Sequence, residues 1–224
     1  MIKKVISLFK PKEKKTLYEM GSEAAMQNDM ETAFVCFEKA ALGGNPKCQF
    51  LTGFLTLSGV GTAKDEKKAL EWFKQAAEQG YPDAFNSIAE MFASGRGCKR
   101  NISLAIHYYL AAAEKGHTEA QYQLGFHYKT GRGVRKDHNV AAQFFLAAAE
   151  KGHAKAQYNM GIMCAAGKGV LRDDAEAAEW YRKSAEQGYA IAQYSLGYMY
   201  QCGRGVEKDY KEALYWFNKA GKDL

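Results

Sequence analysis

The stretch from Thr118 to Gly152, TEAQYQLGFHYKTGRGVRKDHNVAAQFFLAAAEKG, decides the fold, because close variants of it fill most of this 224-residue chain. Single glycines and glycine pairs both recur every 36 residues. They are Gly44, Gly80, Gly116, Gly152 and Gly188, and Gly59/Gly61, Gly95/Gly97, Gly131/Gly133, Gly167/Gly169 and Gly203/Gly205. A fixed period of this length is typical of stacked-repeat proteins, in which a unit buries its apolar face only against its neighbours.

The first half of each repeat predicts a helix with one apolar stripe. Ala120, Leu124 and Tyr128 are spaced at i, i+4 and i+8, and Gly125 lies beside them. The same glycine recurs as Gly53, Gly161 and Gly197. Since glycine inside a helix costs about 1 kcal/mol relative to alanine, its recurrence predicts that another helix approaches closely.

The second half of each repeat predicts a second helix after a glycine loop. Two glycines allow the loop to turn through unusual φ angles. The helix is predicted to begin at Asp137, whose carboxylate can cap the free backbone N–H groups of the first turn. Gly152 ends it as a left-handed C-terminal cap. The sequence therefore predicts an αα-hairpin in each repeat.

We call each set of residues that recurs at the same position of the repeat a column. The pattern of these columns resembles the Sel-one-like repeat (SLR) family, whose members are solenoids related to the tetratricopeptide repeat. They follow Ala-x-x-x-Leu-Gly-x-x-Tyr, Gly-x-Gly-Val, Asp and Ala-x-x-(Trp/Phe)-(Tyr/Phe)-x-x-Ala-Ala-Glu-x-Gly. The resemblance implies an all-α fold, a right-handed α-solenoid of antiparallel helix pairs with about six hairpins. In the most divergent repeat, Ala89 replaces the helix glycine and Asn101 replaces the aspartate.

The pattern also predicts how the chain is divided. A basic amphipathic segment, 1–15, precedes a degenerate tetratricopeptide-like hairpin at 16–45. The remainder, 46–224, consists of five SLR repeats with boundaries at 46–81, 82–117, 118–153, 154–189 and 190–224.

The positive charge is concentrated at the N-terminus. Residues 1–15 contain six lysines and one glutamate, so they carry +5 of the chain's net +6. The nearly neutral remainder argues against a dedicated nucleic-acid binder. No apolar run approaches the roughly 20 residues that a membrane span requires.

The first ten residues permit more than one interpretation. Ile2, Val5, Ile6 and Phe9 have helical spacing, with lysines off that stripe. Such a segment can cap the first repeat or form a tail, and it can also lie on an anionic membrane surface. A secretory signal is disfavoured, because the apolar core is short and no small-residue cleavage site follows.

The five cysteines predict free thiols. Each occupies a different column of the repeat, whereas a disulfide framework would recur with the unit. They are Cys36, Cys48, Cys98, Cys164 and Cys202. This pattern favours a reducing compartment, and we expect a cytoplasmic protein, peripheral at the membrane if residues 1–15 bind there.

No catalytic or metal site is expected. Ser7–Lys10 and Lys129–Gly131 resemble motifs of penicillin-recognising serine enzymes, but that fold needs a β-sheet, which makes this class a remote alternative. No His/Cys/Asp/Glu cluster has metal-ligand spacing, so we expect no metal and no cofactor. His117 and His153 share a column with two tyrosines, which indicates a packing role between repeats.

A binding face is predicted on the first helices. At 100° per residue, Glu119, Tyr122, Phe126 and Lys129 lie opposite Leu124, and the equivalent columns contain aromatic and apolar residues. The candidate partner-binding residues, which we call the first-helix face, are Phe50, Phe54, Glu90, Glu119, Tyr122, Phe126, Tyr158, Ile162, Tyr194 and Tyr198. Resemblance to tetratricopeptide solenoids implies that this face lines a concave groove. The alternative, that the tyrosine column packs first helices together, stays open.

A second candidate surface is a basic edge formed by loop residues. Its members are Arg96, Arg132, Lys168 and Arg204. This edge is either merely solvated or a docking site for an acidic partner.

The sequence as a whole predicts a non-catalytic scaffold or adaptor that binds a protein or peptide segment. The family resemblance implies bacterial roles in signalling, envelope assembly or toxin immunity. The rival interpretation is a membrane-surface tether through residues 1–15.

Overall fold

The computed structural model describes residues 15–222, and this part of the chain forms twelve α-helices and no strand. The helices are α1 (Leu17–Met26), α2 (Met30–Leu42), α3 (Pro46–Ser58), α4 (Glu66–Glu78), α5 (Pro82–Ser94), α6 (Ile102–Glu114), α7 (Thr118–Thr130), α8 (His138–Glu150), α9 (Ala154–Ala166), α10 (Asp174–Glu186), α11 (Ala190–Cys202) and α12 (Tyr210–Lys222). They form six consecutive hairpins, so the predicted all-α solenoid architecture is confirmed.

The interpretations that concern residues 1–14 lie outside the described residues. These are the cap or tail, the membrane-binding segment and the Ser7–Lys10 motif. Lys15, the first described residue, forms an ion pair with Glu23 at 2.5 Å.

The chain divides into two compact units. The first contains the described residues up to Ala84 together with Arg96–Cys98, and within it α1 to α4 pack in consecutive pairs. The second contains Phe85–Gly95 and the described residues from Lys99 onwards, and within it α6 to α12 pack in the same consecutive way.

Side-chain caps define where the second helices start. The Asp137 carboxylate accepts hydrogen bonds from the backbone N–H groups of Asn139 and Val140 at 2.9 and 3.1 Å, so the cap predicted at this position is confirmed. Asp65, Asn101, Asp173 and Asp209 cap their helices in the same way. These bonds satisfy backbone donors that the helix itself leaves free.

In five of the six hairpins, an aromatic ring of the second helix packs against a glycine of the first helix. A Cβ added at Gly125 would lie 2.5 Å from Phe145 Cδ1, and one added at Gly161 would lie 2.6 Å from the Tyr181 ring. The same contact joins Gly21 to Phe37, Gly53 to Phe73 and Gly197 to Phe217. The predicted close approach is therefore confirmed, and the approaching group is a ring on the second helix.

The two loop glycines have separate roles, as Gly131 and Gly133 illustrate. Gly131 ends α7 in the left-handed conformation with φ 75°. Gly133 has φ 80° and lies so close to Ile102, at the start of the preceding repeat's second helix, that a Cβ would clash with its side chain. The first glycine thus turns the chain, and the second packs one repeat against another.

A buried glutamine column, which the sequence analysis did not identify, also joins successive repeats. Gln157 Nε2 donates to the Ala149 carbonyl at 3.1 Å, and Gln157 Oε1 accepts from Gln187 at 2.7 Å. Its amide therefore bridges the preceding repeat and the second helix of its own repeat. Gln49, Gln121 and Gln193 occupy the same column and also donate to the preceding repeat.

All five cysteines are present as thiols in the structure. Cys36, Cys48 and Cys164 are buried, Cys98 is partly buried and Cys202 is exposed. Burial, together with nearby Glu176, raises the pKa of the Cys164 thiol to about 12, which disfavours the reactive thiolate.

Replacement of the helix glycine is expected to destabilise its repeat. Gly161→Leu places a side chain where the Tyr181 ring lies, and overpacking of this kind typically costs about 1–3 kcal/mol. Urea unfolding should show a lower midpoint. Gly221→Ala is the matched control, because its added Cβ meets no atom within 4 Å. Equal midpoints for Gly161→Leu and the wild type would refute the packing role of this column.

The thiols give a second expectation. Because the cysteines occupy unrelated repeat columns, all five should react with a thiol reagent in protein unfolded without reductant. Reductant should also leave the melting temperature unchanged. A titration that finds fewer than five thiols would revive the disulfide interpretation.

Candidate functional site

The first-helix face is distributed over several first helices of the two units. Phe50 and Phe54 belong to α3 in the first unit, and Glu90 belongs to α5 in the second. The other members lie on α7, α9 and α11, which are successive first helices of the second unit. They are Glu119, Tyr122, Phe126, Tyr158, Ile162, Tyr194 and Tyr198.

The tyrosine column of this face is engaged in packing. The Tyr122 ring lies 5.9 Å from the Phe145 ring of its own repeat and 4.6 Å from the His153 ring of the next, measured between centroids. Phe50 lies in the same way against Phe73 and Tyr81, and Tyr158 against Tyr181 and Tyr189. Projection at 100° per residue directs this column away from the core. In the structure, however, the neighbouring helices leave these rings only half exposed.

The neighbouring column, one helical turn further along, is more accessible. Phe126 is 38% exposed, Phe54 54% and Tyr198 49%. Ile162 is half-buried against the core of the second unit, and Glu90 accepts a hydrogen bond from Asn86 at 2.9 Å. Exposed aromatic side chains thus lie on α7 and α11, and the half-buried Ile162 lies on the intervening α9. Tyr194 extends this surface, because it packs on Phe217 yet is 61% exposed.

Glu119 and His153 form a polar contact between two repeats. His153 Nδ1 accepts the Ala156 backbone N–H at 3.1 Å and thereby caps α9, so its ring proton lies on Nε2. Nε2 then donates to Glu119 Oε2 at 3.0 Å, and Gln123 donates to the other carboxylate oxygen at 2.7 Å. The expected packing role of this histidine column was therefore incomplete, because its members are also helix caps.

The hydrogen bond from His153 lowers the pKa of the Glu119 carboxyl below its ordinary value of 4.5, and Gln123 acts in the same direction. Both carboxylate oxygens of Glu119 consequently have a hydrogen-bond donor within the protein. This leaves the apolar side chains as the main groups that the face offers to a partner.

The basic edge is not a uniform row of solvated cations. Arg204 donates to Asp174 Oδ1 at 2.7 Å and to the Ala165 carbonyl at 3.1 Å, so it is part of the contact between repeats. Arg96 contributes to lowering the pKa of Glu66 in the first unit, although Lys64 has the larger effect. Arg132 and Lys168 are exposed.

The Lys129–Gly131 motif, which resembles a motif of penicillin-recognising enzymes, lies within the described residues and has a structural role. Thr130 Oγ1 donates to the Phe126 carbonyl at 2.8 Å, and Lys129 donates to Asn159 Oδ1 at 2.7 Å. Both groups of the Lys129–Gly131 motif therefore have partners within the fold. Among residues 15–222, no group of three His, Cys, Asp or Glu side chains could hold a metal ion.

Two solved structures superpose on most of the chain. A protective antigen of uropathogenic Escherichia coli, described as displaying an SLR fold, has a TM-score of 0.86 and 31% identity over 92% of this chain. This chain covers 45% of that protein, so it spans less than half of the relative's length. A Sel1 repeat protein of Oxalobacter formigenes has a TM-score of 0.86 and 30% identity, covering 93% of this chain and 83% of its own.

A third neighbour shares the fold at lower identity. It is an immunity protein of Pseudomonas aeruginosa, with a TM-score of 0.52 and 19% identity, covering 99% of this chain and 80% of its own. No curated protein matches the chain.

The hairpins and their packing define a helical-repeat protein. The chain belongs to the Sel1 repeat family, whose model matches residues 16–45, 46–81, 84–117, 118–153, 154–189 and 190–223. Sel1 repeat proteins are scaffolds for protein–protein interaction and are generally not enzymes. Within the described residues, no helix is long and apolar enough to cross a membrane.

The lowered pKa of Glu119 predicts a pH-dependent contribution to stability. Because ionisation is favoured in the folded state, the contribution is complete above the unfolded-state pKa and is lost as the pH falls through the folded-state value. Between about pH 6 and about pH 3, Glu119→Gln should therefore lose less stability than the wild type in urea unfolding.

His153→Ala provides the matched test of this cause. It removes the largest of the effects that lower the pKa of Glu119, so substituting Glu119 in the His153→Ala background should change the pH dependence less than it does in the wild type. Identical acid sensitivity in the wild type and Glu119→Gln would show that this contact does not contribute.

Proposed function

We propose that this protein is a non-catalytic scaffold or adaptor that holds a segment of another protein on the first-helix face. The observation that carries the proposal is the apolar column on successive first helices, formed by the exposed rings of Phe126 and Tyr198 and the half-buried Ile162. Binding energy at protein interfaces is concentrated in aromatic anchors of this kind. The face therefore suits an extended or helical segment with apolar side chains at intervals.

The packing of the tyrosine column supports this role. Tyr122 lies four residues before Phe126 on the same helix, and its ring is held between Phe145 and His153. Side chains four residues apart are neighbours on a helix surface. The fixed tyrosine ring thus forms one wall beside Phe126, and a preformed surface loses little conformational freedom when it binds.

The immediate surroundings of the column are poor in unmatched negative charge. Glu119 is hydrogen bonded to His153 and Gln123, so both carboxylate oxygens keep a partner when a segment covers this face. This supports Phe126 and its neighbours as anchors and assigns Glu119 a supporting role.

The specific cellular role is part of the same proposal. The family resemblance offers signalling, envelope assembly and toxin immunity, and each of these requires a bound protein. An interaction partner captured through the first-helix face would distinguish among them.

Site-specific photo-cross-linking tests the face directly. A benzophenone amino acid at position 126 should cross-link a partner in cells, whereas the same group at Leu146, on the second helix α8, should not. The two side chains have similar exposure, 38% and 36%, so accessibility is matched. Equal cross-linking from both positions, or cross-linking only from Leu146, would contradict the proposal.

Truncation of the anchors gives a second readout. The double substitution Phe126→Ala with Tyr198→Ala should reduce partner capture strongly, because truncating an interface anchor can cost about 2 kcal/mol or more. Circular dichroism and melting must first match the wild type. Full capture by the folded variant, with loss in Arg132→Ala, would transfer the site to the basic edge.

A further inference from the structure

The contact between the last two repeats shows how one basic-edge residue, Arg204, is accommodated. Arg204 reaches back to the preceding repeat, where it pairs with Asp174 at the start of α10 and with the Ala165 carbonyl near the end of α9. Gly205 places the loop directly against the backbone carbonyl of Asp174. The cation of one repeat is thus neutralised by an acid of the repeat before it.

The same contact one repeat earlier has different chemistry. Subtracting 36 from each position replaces Arg204 by Lys168 and Asp174 by His138, while Lys129 takes the place of Ala165, whose backbone carbonyl is the acceptor for Arg204. The backbone arrangement is retained, because Gly169 lies against the His138 carbonyl as Gly205 does against that of Asp174. The ion pair is therefore replaced by Lys168 and His138, and Lys129 adds a third basic side chain. We call these three residues, Lys129, His138 and Lys168, the basic junction.

Lys129 is the most constrained member of the basic junction. Its side chain is half-buried, and among the described residues Asn159 Oδ1 is the acceptor within hydrogen-bond distance, at 2.7 Å, although an ammonium group has three donors. Burial, followed by the nearby charge of Lys168, lowers the pKa of Lys129. Both effects disfavour the charged form, and a bound anion would offset them.

The other groups at the basic junction leave the excess charge unmatched. His138 Nδ1 is buried and has no hydrogen-bond partner among the described residues. The adjacent acid, Asp137, directs its carboxylate to the backbone N–H groups of Asn139 and Val140 and so caps α8. No carboxylate lies within ion-pair distance of Lys129 or Lys168 in the described part of the chain.

We propose that the basic junction binds a carboxylate of an acidic partner segment, with Lys129 and Lys168 as the charged ligands and Asn159 positioning Lys129. The proposal rests on the proposed scaffold function and specifies the partner's chemistry. Lys129 follows Phe126 by three residues on α7, and Asn159 precedes Ile162 by three on α9. The carboxylate site therefore adjoins the apolar column, and a segment that combines acidic and apolar residues fits both.

The test uses a fluorescein-labelled peptide of alternating leucine and glutamate, with a leucine–glutamine peptide for comparison. Fluorescence anisotropy should show that the full-length protein binds the acidic peptide and that added salt weakens binding. Lys129→Gln and Lys168→Gln should each reduce affinity about tenfold, the effect of losing a partly desolvated charge contact. Lys67→Gln, an exposed lysine on α4, is the control and should bind as the wild type does.

His138→Asp is the most selective variant. It recreates the acid found at Asp174 and so supplies Lys168 with an internal partner. Binding of the acidic peptide should fall at least as far as in Lys168→Gln, while thermal stability is retained or raised. Undiminished binding by this folded variant would overturn the proposal.

The pKa of Lys129 gives an independent measurement of binding. In nuclear magnetic resonance titrations, saturation with the acidic peptide should raise the pKa of Lys129, because a carboxylate stabilises the ammonium form. An unchanged Lys129 pKa at saturation would overturn the assignment. Binding of inorganic phosphate with no binding of the acidic peptide would also overturn it, since the site would then hold a free anion.

The outcomes separate this proposal from the scaffold proposal. Peptide binding that depends on Lys129, without cross-linking from position 126, would retain the basic junction and count against the first-helix face. Cross-linking from position 126, with no peptide binding, would retain the scaffold and refute the basic junction.

Discussion

The contact between an aromatic ring and a helix glycine is the constraint on which five of the six hairpins depend. At Gly125 and Gly161 the first helix lacks a side chain, so the ring of Phe145 or Tyr181 lies directly on its backbone. This contact determines how closely the two helices approach. In the divergent repeat, Ala89 occupies the glycine position and is completely buried, with Tyr109 in the ring position.

The same rings connect packing to function. The Phe145 ring packs against the Tyr122 ring, and Tyr122 lies four residues before the exposed Phe126 on the same helix. A residue that belongs to the core therefore positions a residue that is free to bind. In the proposed function, one column of this surface is fixed by packing and the next column contacts the partner.

Polar contacts between repeats allow the chemistry to vary while the backbone geometry is kept. Glutamine amides and second-loop glycines hold successive repeats together by hydrogen bonds and close packing. Because the backbone positions are equivalent, substitution at a few side chains converts the ion pair of Arg204 and Asp174 into the cation-rich basic junction. Functional differences in a repeat protein can thus reside in departures from the repeat.

The sequence by itself determined the all-α class, the hairpins, the caps at Asp137 and its equivalents, and the close approach at Gly125, because these follow from periodicity and local backbone requirements. It also indicated which first-helix columns contain aromatic residues. Only the tertiary structure decided which of these rings are occupied by packing, that His153 caps a helix while bonding Glu119, and that Lys129 lies near Lys168. These properties depend on contacts between residues about one repeat apart, and helical projection of a single helix contains no neighbouring repeat to make them.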